Sequence, residues 1–174
     1  FTTDWAQDAG RRDFTINALY ADPYSGELFD YFGGLDDLQS RTVRFIGEPL
    51  QRIAEDHLRI LRYFRFHARY GHGEPDAQAL DACTRRANDL MALSRERIAD
   101  ELVKLLALDD PVPTVRLMHD RGIFQPVIPE IEETGRLASL VSTERSAGVA
   151  PDPLRRLASL LPADPEAALR VAGG

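Results

Sequence analysis

The feature that most constrains this chain is a change of hydrophobic period at Pro49. Beyond it, apolar residues recur at helical spacing through most of the remaining sequence; before it, they do not. Pro49 to Ala54 reads as a short helix and Asp56 to Tyr70 as a longer one stopped at Gly71. Asp76 to Asn88 and Ser94 to Leu106 follow, with Asp76 and Ser94 as N-caps. Asp110-Pro111 opens a helix that ends at Arg121 before Gly122. Ile131 to Ser142 is read as helical, and Thr143 to Pro151 as a loop and the most mobile segment. Asp152-Pro153 and Asp164-Pro165 each resemble an N-cap followed by a first-turn proline.

Ahead of Pro49 the signals are mixed. Asp13 to Leu19 is expected to be a short helix capped by Asp13. Asp22-Pro23-Tyr24-Ser25-Gly26 is turn chemistry between Ala18-Leu19-Tyr20 and Glu27-Leu28-Phe29, which predicts a hairpin. Gly33-Gly34 breaks the chain, and one of Asp36 and Asp37 is read as a cap rather than half of a metal pair. Thr42 to Ile46 alternates like a half-buried strand. The expected fold class is therefore mainly α: a small, incomplete α+β piece over residues 1–48, followed by an all-helical body. The first piece is too short for a self-sufficient sheet domain, so its missing strands are expected upstream of Phe1. A chain that starts at Phe1 without methionine and ends at Gly173-Gly174 reads as an excised piece of a longer protein.

Composition excludes some functions. A formal net charge of -7 argues against a general RNA or DNA binder, while leaving room for a local basic patch. Lys104 is the only lysine among 21 basic residues, so the rest are arginine, suited to forked contacts with phosphate or carboxylate or set by genome composition. Cys83 is the only cysteine, which excludes an internal disulfide or a cysteine metal cluster and fits a reducing, cytoplasmic setting. No apolar run approaches the ~20 residues of a membrane helix. No Walker-type GxxxxGK, GxGxxG or HExxH pattern occurs.

Two clusters could carry chemistry. In Glu55-Asp56-His57-Leu58-Arg59-Ile60-Leu61-Arg62-Tyr63-Phe64-Arg65 an acid pair precedes arginines at three-residue steps. Such steps drift back by roughly 60° each and climb about 13 Å from Asp56 to Arg65, putting Asp56 and Arg59 at one end and Arg62 and Arg65 toward the other. That would suit a ligand with a base at one end and phosphates at the other. Taken alone, the segment is better described as an amphipathic helix with solvated arginines, its core face Leu58, Ile60, Leu61, Phe64 and Phe66. In Arg11-Arg12-Asp13-Phe14-Thr15-Ile16-Asn17-Ala18, two arginines at a helix mouth could meet an anion, and Asp13 and Asn17 could bond a ribose hydroxyl. Here too the structural reading, a cap and a tied turn, is favoured locally.

The two clusters in this order, with Gly33-Gly34-Leu35-Asp36-Asp37-Leu38 between them and Glu96-Arg97-Ile98-Ala99-Asp100-Glu101-Leu102 after, resemble the bacterial (class II) tRNA nucleotidyltransferase and poly(A) polymerase family over roughly residues 5–130. Weaker similarity runs through Leu117 to Gly122 and Ile128-Pro129-Glu130. His57 and Tyr31 depart from many relatives. The resemblance implies a nucleotidyltransferase head remnant (1–48), a nucleotide-selecting helical neck (49–108) and the start of a helical body (109–174). It implies that Asp56 and Arg59 form a protein template for the base of CTP or ATP, and that Arg62, Arg65 and Arg12 contact the nucleotide, chiefly its phosphates. Asp13 would lie near the ribose, with Arg11 and Asn17 as further ribose or anion contacts. Gly33 to Leu38 would belong to a flexible element, and Glu96 and Arg97 would start a helix supporting the template helix.

The implied reaction adds C and A to RNA 3′ ends, CCA addition to tRNA before poly(A) synthesis, with Mg²⁺ as cofactor. The family's metal-binding DxD pair has no counterpart here and is expected upstream of Phe1, so no catalytic or metal residue is assigned in this chain. The 174-residue chain alone is accordingly expected to add no nucleotide. A non-catalytic RNA-binding helical module is the competing reading.

Overall fold

The computed structural model describes residues 4–172; the chain-end residues 1–3 and 173–174, where the first and last sequence-defined segments begin and end, lie outside the described residues. Twelve regular elements follow in order: α1 (Trp5–Ala9), β1 (Leu19–Ala21), β2 (Leu28–Asp30), α2 (Gly34–Gln39), α3 (Pro49–Glu55), α4 (Arg59–Tyr70), α5 (Ala77–Arg85), α6 (Arg95–Leu106), α7 (Val112–Asp120), α8 (Gly135–Ala147), α9 (Pro153–Leu160) and α10 (Pro165–Ala172). Short 3-10 turns lie at Thr15–Asn17 and Ala87–Ala92.

β1 and β2 form the expected hairpin, antiparallel with Tyr20 opposite Phe29. Asp22 drives its turn by accepting from the Tyr24 and Ser25 N–H groups. The expected strand over 42–46 is reduced to one bridge between Phe14 and Phe45, because no extended neighbour runs alongside it. Its inward residues Val43 and Phe45 are nevertheless buried, as the alternation requires.

Asp13 does not cap a helix. Phe14 precedes the 3-10 turn, and the Asp13 carboxylate accepts instead from Asn17 and Arg62. Neither Asp36 nor Asp37 caps α2 either. Gly33, at φ +75°, begins it, and the open N–H groups of Gly34 and Leu35 are taken by Asp30. Asp36 is exposed, whereas buried Asp37 accepts from Thr15 Oγ1 at 2.5 Å and Arg44 Nε at 3.0 Å.

Helix caps fall largely where local chemistry puts them: Asp76, Ser94 and Asp152 each accept from backbone N–H groups of the first turn. The loop expected over Thr143–Pro151 is corrected. α8 continues to Ala147 and ends at Gly148, in the left-handed conformation glycine adopts freely. The cause is tertiary: Glu144 is buried and receives Arg155 and Arg156 from α9. Arg156, itself 2% exposed, also donates to the carbonyls of Leu106 and Leu108 past the end of α6. One side chain thus ties α6, α8 and α9 together.

α4 buries Ile60, Leu61, Tyr63 and Phe64, the i, i+1, i+3, i+4 stripe of a core-facing helix, at about 2 kcal/mol per side chain. It packs on α6 and α7. The same core includes Phe14, Val43 and Phe45, so it is continuous across residue 48. That continuity presses the Arg11–Ala18 segment against the first turns of α4.

Candidate nucleotide site

A cleft of about 340 Å³ opens between the Arg11–Asn17 segment and the junction of α3 and α4. It is lined by Arg11, Arg12, Asp13, Asn17, Asp56, Leu58, Arg59, Arg62 and Arg97. Five arginines face two aspartates, an excess of three positive charges on a chain whose net charge is -7. Such a concave basic surface attracts anions although the whole molecule is acidic.

The two sequence clusters thus meet, with one difference in geometry. Asp56 is not on α4. Its backbone is extended, at φ -156° and ψ 109°, and it ends α3. Its Oδ1 accepts from the Leu58 N–H at 3.1 Å, a local turn that starts α4 at Arg59. The helical projection therefore holds only from Arg59 onward. It explains Arg65: two backward steps from Arg59 rotate a side chain by roughly a third of a turn. Arg65 leaves the cleft and points to α6, where its Nε donates to Glu101 at 2.6 Å and its guanidinium lies 4.8 Å from the Phe66 ring. It is absent from the cleft lining, unlike Arg12, Asp56, Arg59 and Arg62.

The lining side chains are held by internal partners. Arg62 donates from Nε to Asp13, which also accepts from Asn17 Nδ2 at 2.6 Å. Burial opposes ionisation of Asp13, but the bonds from Arg62 and Asn17 win and hold its carboxyl below the usual carboxylate range. Burial likewise opposes the charge of Arg62, and Asp13 more than restores it. Arg59 donates from Nη1 to the Arg52 carbonyl at 2.7 Å and to Glu55 at 2.6 Å. Glu55 is held below its usual range chiefly by the bond from Arg59. Arg52 braces the other wall, donating to the carbonyls of Arg11 and Arg12. Arg12 lies 3.6 Å from Asp8, while the exposed side chain of Arg11 makes no hydrogen bond or ion pair among the described residues.

The side chains of Asp56 and Arg59 do not pair with each other; only the Arg59 N–H donates to the Asp56 carbonyl, at 3.1 Å. The Asp56 carboxylate is taken by Arg97 of α6, whose Nη2 lies 3.1 Å from Oδ1 and 2.9 Å from Oδ2. Arg97 was legible only as part of a helix start. One turn on, Glu101 is 3% exposed and receives Arg65, with Arg62 at 3.8 Å. Arg97 and Glu101 are four residues apart on α6 and so share a face, but that spacing does not name Asp56 or Arg65 as their partners.

The described residues offer no group of three or more acidic, histidine or cysteine side chains that could hold a metal ion. Asp36 and Asp37 diverge, and Asp37 is committed to Thr15 and Arg44. The residues present do not fit a Mg²⁺ site. No helix among the described residues is long and apolar enough to cross a membrane.

Comparison with known proteins places this geometry. Residues 1–44 match the Poly A polymerase head domain family, and residues 74–134 the family described as the probable RNA and SrmB-binding site of polymerase A. The mitochondrial CCA tRNA nucleotidyltransferase 1 of Mus musculus is 42% identical over 166 residues, 92% of this chain and 37% of the mouse protein. Poly(A) polymerase I of Haemophilus influenzae is 39% identical over 127 residues, 72% of this chain and 27% of that protein. A solved complex of a CCA-adding enzyme with ATP superposes with a TM-score of 0.75 at 25% identity, covering 96% of this chain and 42% of that one. The chain thus spans well under half the length of these relatives.

Proposed function

Since the chain belongs to the tRNA nucleotidyltransferase and poly(A) polymerase family, we propose that its arginine-lined cleft selects the nucleotide in a template-independent RNA nucleotidyltransferase. The whole protein would transfer C and A from CTP and ATP to the 3′ end of RNA, as CCA addition to tRNA. The observation that carries this reading is the placement of Asp56 and Arg59 at the α3–α4 junction, three residues apart and lining one cleft, with their side chains held by other partners.

The chemistry follows from donor and acceptor inventories. Cytosine and adenine each present an exocyclic amine donor beside a ring-nitrogen acceptor on the Watson–Crick edge; uracil and guanine reverse that order. A carboxylate beside a guanidinium matches the first pattern and opposes the second. Both known bonds of Arg59 leave through Nη1, so the rest of its fork is available to the ring nitrogen. Arg11, Arg12 and Arg62 supply positive charge for the phosphates, with Asp13 and Asn17 in the same cleft lining to meet the ribose. Arg65 acts at one remove, holding Glu101 and so the α4–α6 contact.

CCA addition is favoured over poly(A) synthesis by the match to the mouse enzyme, which extends over 166 residues against 127 for the poly(A) polymerase. Residues 1–48, 49–108 and 109–174 are proposed as head, neck and body parts. Mg²⁺ is proposed as the cofactor of the whole enzyme, held by carboxylates other than those described. The cytoplasm is the proposed setting, and a free, buried Cys83 fits it.

The test is incorporation of all four nucleotides into tRNA lacking its CCA end by the full-length protein and its Asp56→Ala and Arg59→Ala variants. Loss of the preference for CTP and ATP is expected in both; unaltered preference rejects the template role. A three-nucleotide product supports CCA addition, and a long A tract supports poly(A) synthesis.

A further inference from the structure

Between α3 and α4 the chain turns through an elbow at Asp56, His57 and Leu58, outside either helix. We propose that His57 is a positioning residue: its protonated ring pairs with Asp89 of the Ala87–Ala92 turn, fixes this elbow, and makes nucleotide affinity depend on pH. The proposal rests on the reading of the cleft given above and concerns the opposite side of the elbow. Asp56 is extended, and consecutive side chains of an extended chain leave it on opposite sides. Asp56 lines the cleft and His57 does not. The His57 Nδ1 lies instead 3.6 Å from Asp89 Oδ2, with the two side chains 26% and 30% exposed.

Asp89 Oδ2 has two claimants, since Arg86 Nε lies 2.6 Å from the same oxygen. Asp89 Oδ2, Arg86 Nε and His57 Nδ1 are all buried, and none has a hydrogen-bond partner in good geometry among the described residues. Buried polar atoms are normally satisfied, so three such atoms in one cluster mark a contact that is incomplete. A proton completes it. A neutral imidazole can carry its hydrogen on Nε2 and face the carboxylate with a bare Nδ1, whereas the imidazolium donates from both nitrogens. Imidazole ordinarily gains that proton between about pH 8 and 5. The other charged groups at the elbow are already engaged, Asp56 with Arg97 of α6 and Glu55 with Arg52 of α3 and Arg59 of α4. The Ala87–Ala92 turn is the fixed side of the contact, because its Leu90 is fully buried in the core. The elbow is the side that adjusts: shortening the contact to about 2.8 Å, as a charge-assisted bond requires, holds the residue next to Asp56 in place. A nucleotide then meets an elbow already ordered, so its affinity is higher with His57 charged and falls as pH rises.

Steady-state incorporation of CTP and ATP by the full-length protein between about pH 6 and pH 8.5 tests this, using His57→Gln, Asp89→Asn, the double variant His57→Gln/Asp89→Asn, Arg86→Gln and Asp56→Ala. The ratio of KM in His57→Gln to KM in the unmodified protein cancels the titration of the nucleotide phosphates, which both share. That ratio is expected to be about fivefold near pH 6 and to fall toward one near pH 8.5, with kcat within about twofold throughout. Asp89→Asn should behave as His57→Gln does, and the double variant should be no worse than either single change. Arg86→Gln removes the competing claimant and should keep KM low to a higher pH. A ratio that does not vary with pH overturns the proposal, because a residue that only packs would cost the same at every pH. Single effects that add in the double variant overturn it as well. If Asp56→Ala leaves base preference intact, the cleft reading falls and takes this proposal with it. If Asp56→Ala abolishes preference while the His57→Gln ratio stays flat, only the role of His57 is lost.

Discussion

Arg62 of α4 donates from Nε to the buried carboxylate of Asp13, a residue 49 positions earlier in the chain. This bond joins the two walls of the cleft. Arg62→Ala would leave Asp13 charged, mostly buried and with Asn17 as its remaining side-chain donor. The expected cost is about 2–4 kcal/mol in chemical denaturation, together with weakened CTP and ATP binding. The double variant Arg62→Ala/Asp13→Ala should recover part of the stability and none of the binding.

Asp13 also predicts an acid limb. Its folded pKa lies below the unfolded value of about 3.9, so its stabilisation is complete above that value and is lost as pH falls through the lower folded pKa. Glu144 acts in the same direction: burial opposes its charge, and the bonds from Arg155 and Arg156 outweigh that. Melting temperature should therefore drop steeply below about pH 4 and less steeply in Asp13→Asn. Identical slopes for the two proteins would count against a native-state bond between Asp13 and Arg62.

Gly34 is required by space rather than by backbone angle. A Cβ there would lie 2.3 Å from the Thr15 carbonyl oxygen and 2.8 Å from its carbon, both main-chain atoms that cannot swing aside. Gly34→Ala should separate α2 from the Thr15–Asn17 turn and loosen the Thr15–Asp37 bond. A loss of about 2 kcal/mol or more is expected by thermal denaturation. Gly26→Ala serves as the contrast, since it meets no atom within 4 Å and carries only the strain of φ +73°.

Arg156→Met removes the charge that Glu144 and two carbonyl groups share. A cost of about 3–5 kcal/mol is expected, because Glu144 and both carbonyls lose a buried donor. Nucleotide selectivity in the surviving folded protein should be unchanged, since neither residue lines the cleft. A shift in selectivity would show that α6 transmits strain from its C-terminal end to Arg97.

Much of the fold could be read because its signals are local. Asp76, Ser94 and Asp152 cap within three residues of themselves, and Gly122, at φ +68°, ends α7 by its own chemistry. The errors share another cause. Asp13 has the local chemistry of an N-cap, but a distant arginine competes better for its carboxylate. Thr143 to Pro151 reads as a loop, yet α8 runs on to Ala147 because Glu144 turns inward onto Arg156 of α9. In the cleft, Arg11, Arg12, Asp13, Asn17, Asp56, Arg59 and Arg62 do come together, as the two motifs suggested. Arg65 does not, since its helical phase turns it to Glu101. Arg97 reaches Asp56 from 41 residues downstream, and no spacing rule reports a partner that far along the chain.

The elbow at Asp56 sets a tolerance on chain length. Within a continuous helix, inserting one residue rotates everything beyond it by roughly 100° and breaks the packing face visibly. At this elbow the extended backbone could absorb an added residue while α3 and α4 kept their own burial. The fold would survive, but the offset of Asp56 from Arg59 in the cleft lining would change. The stretch from Glu55 to Leu58 is therefore the place where a single insertion could erase selectivity without leaving a trace in stability.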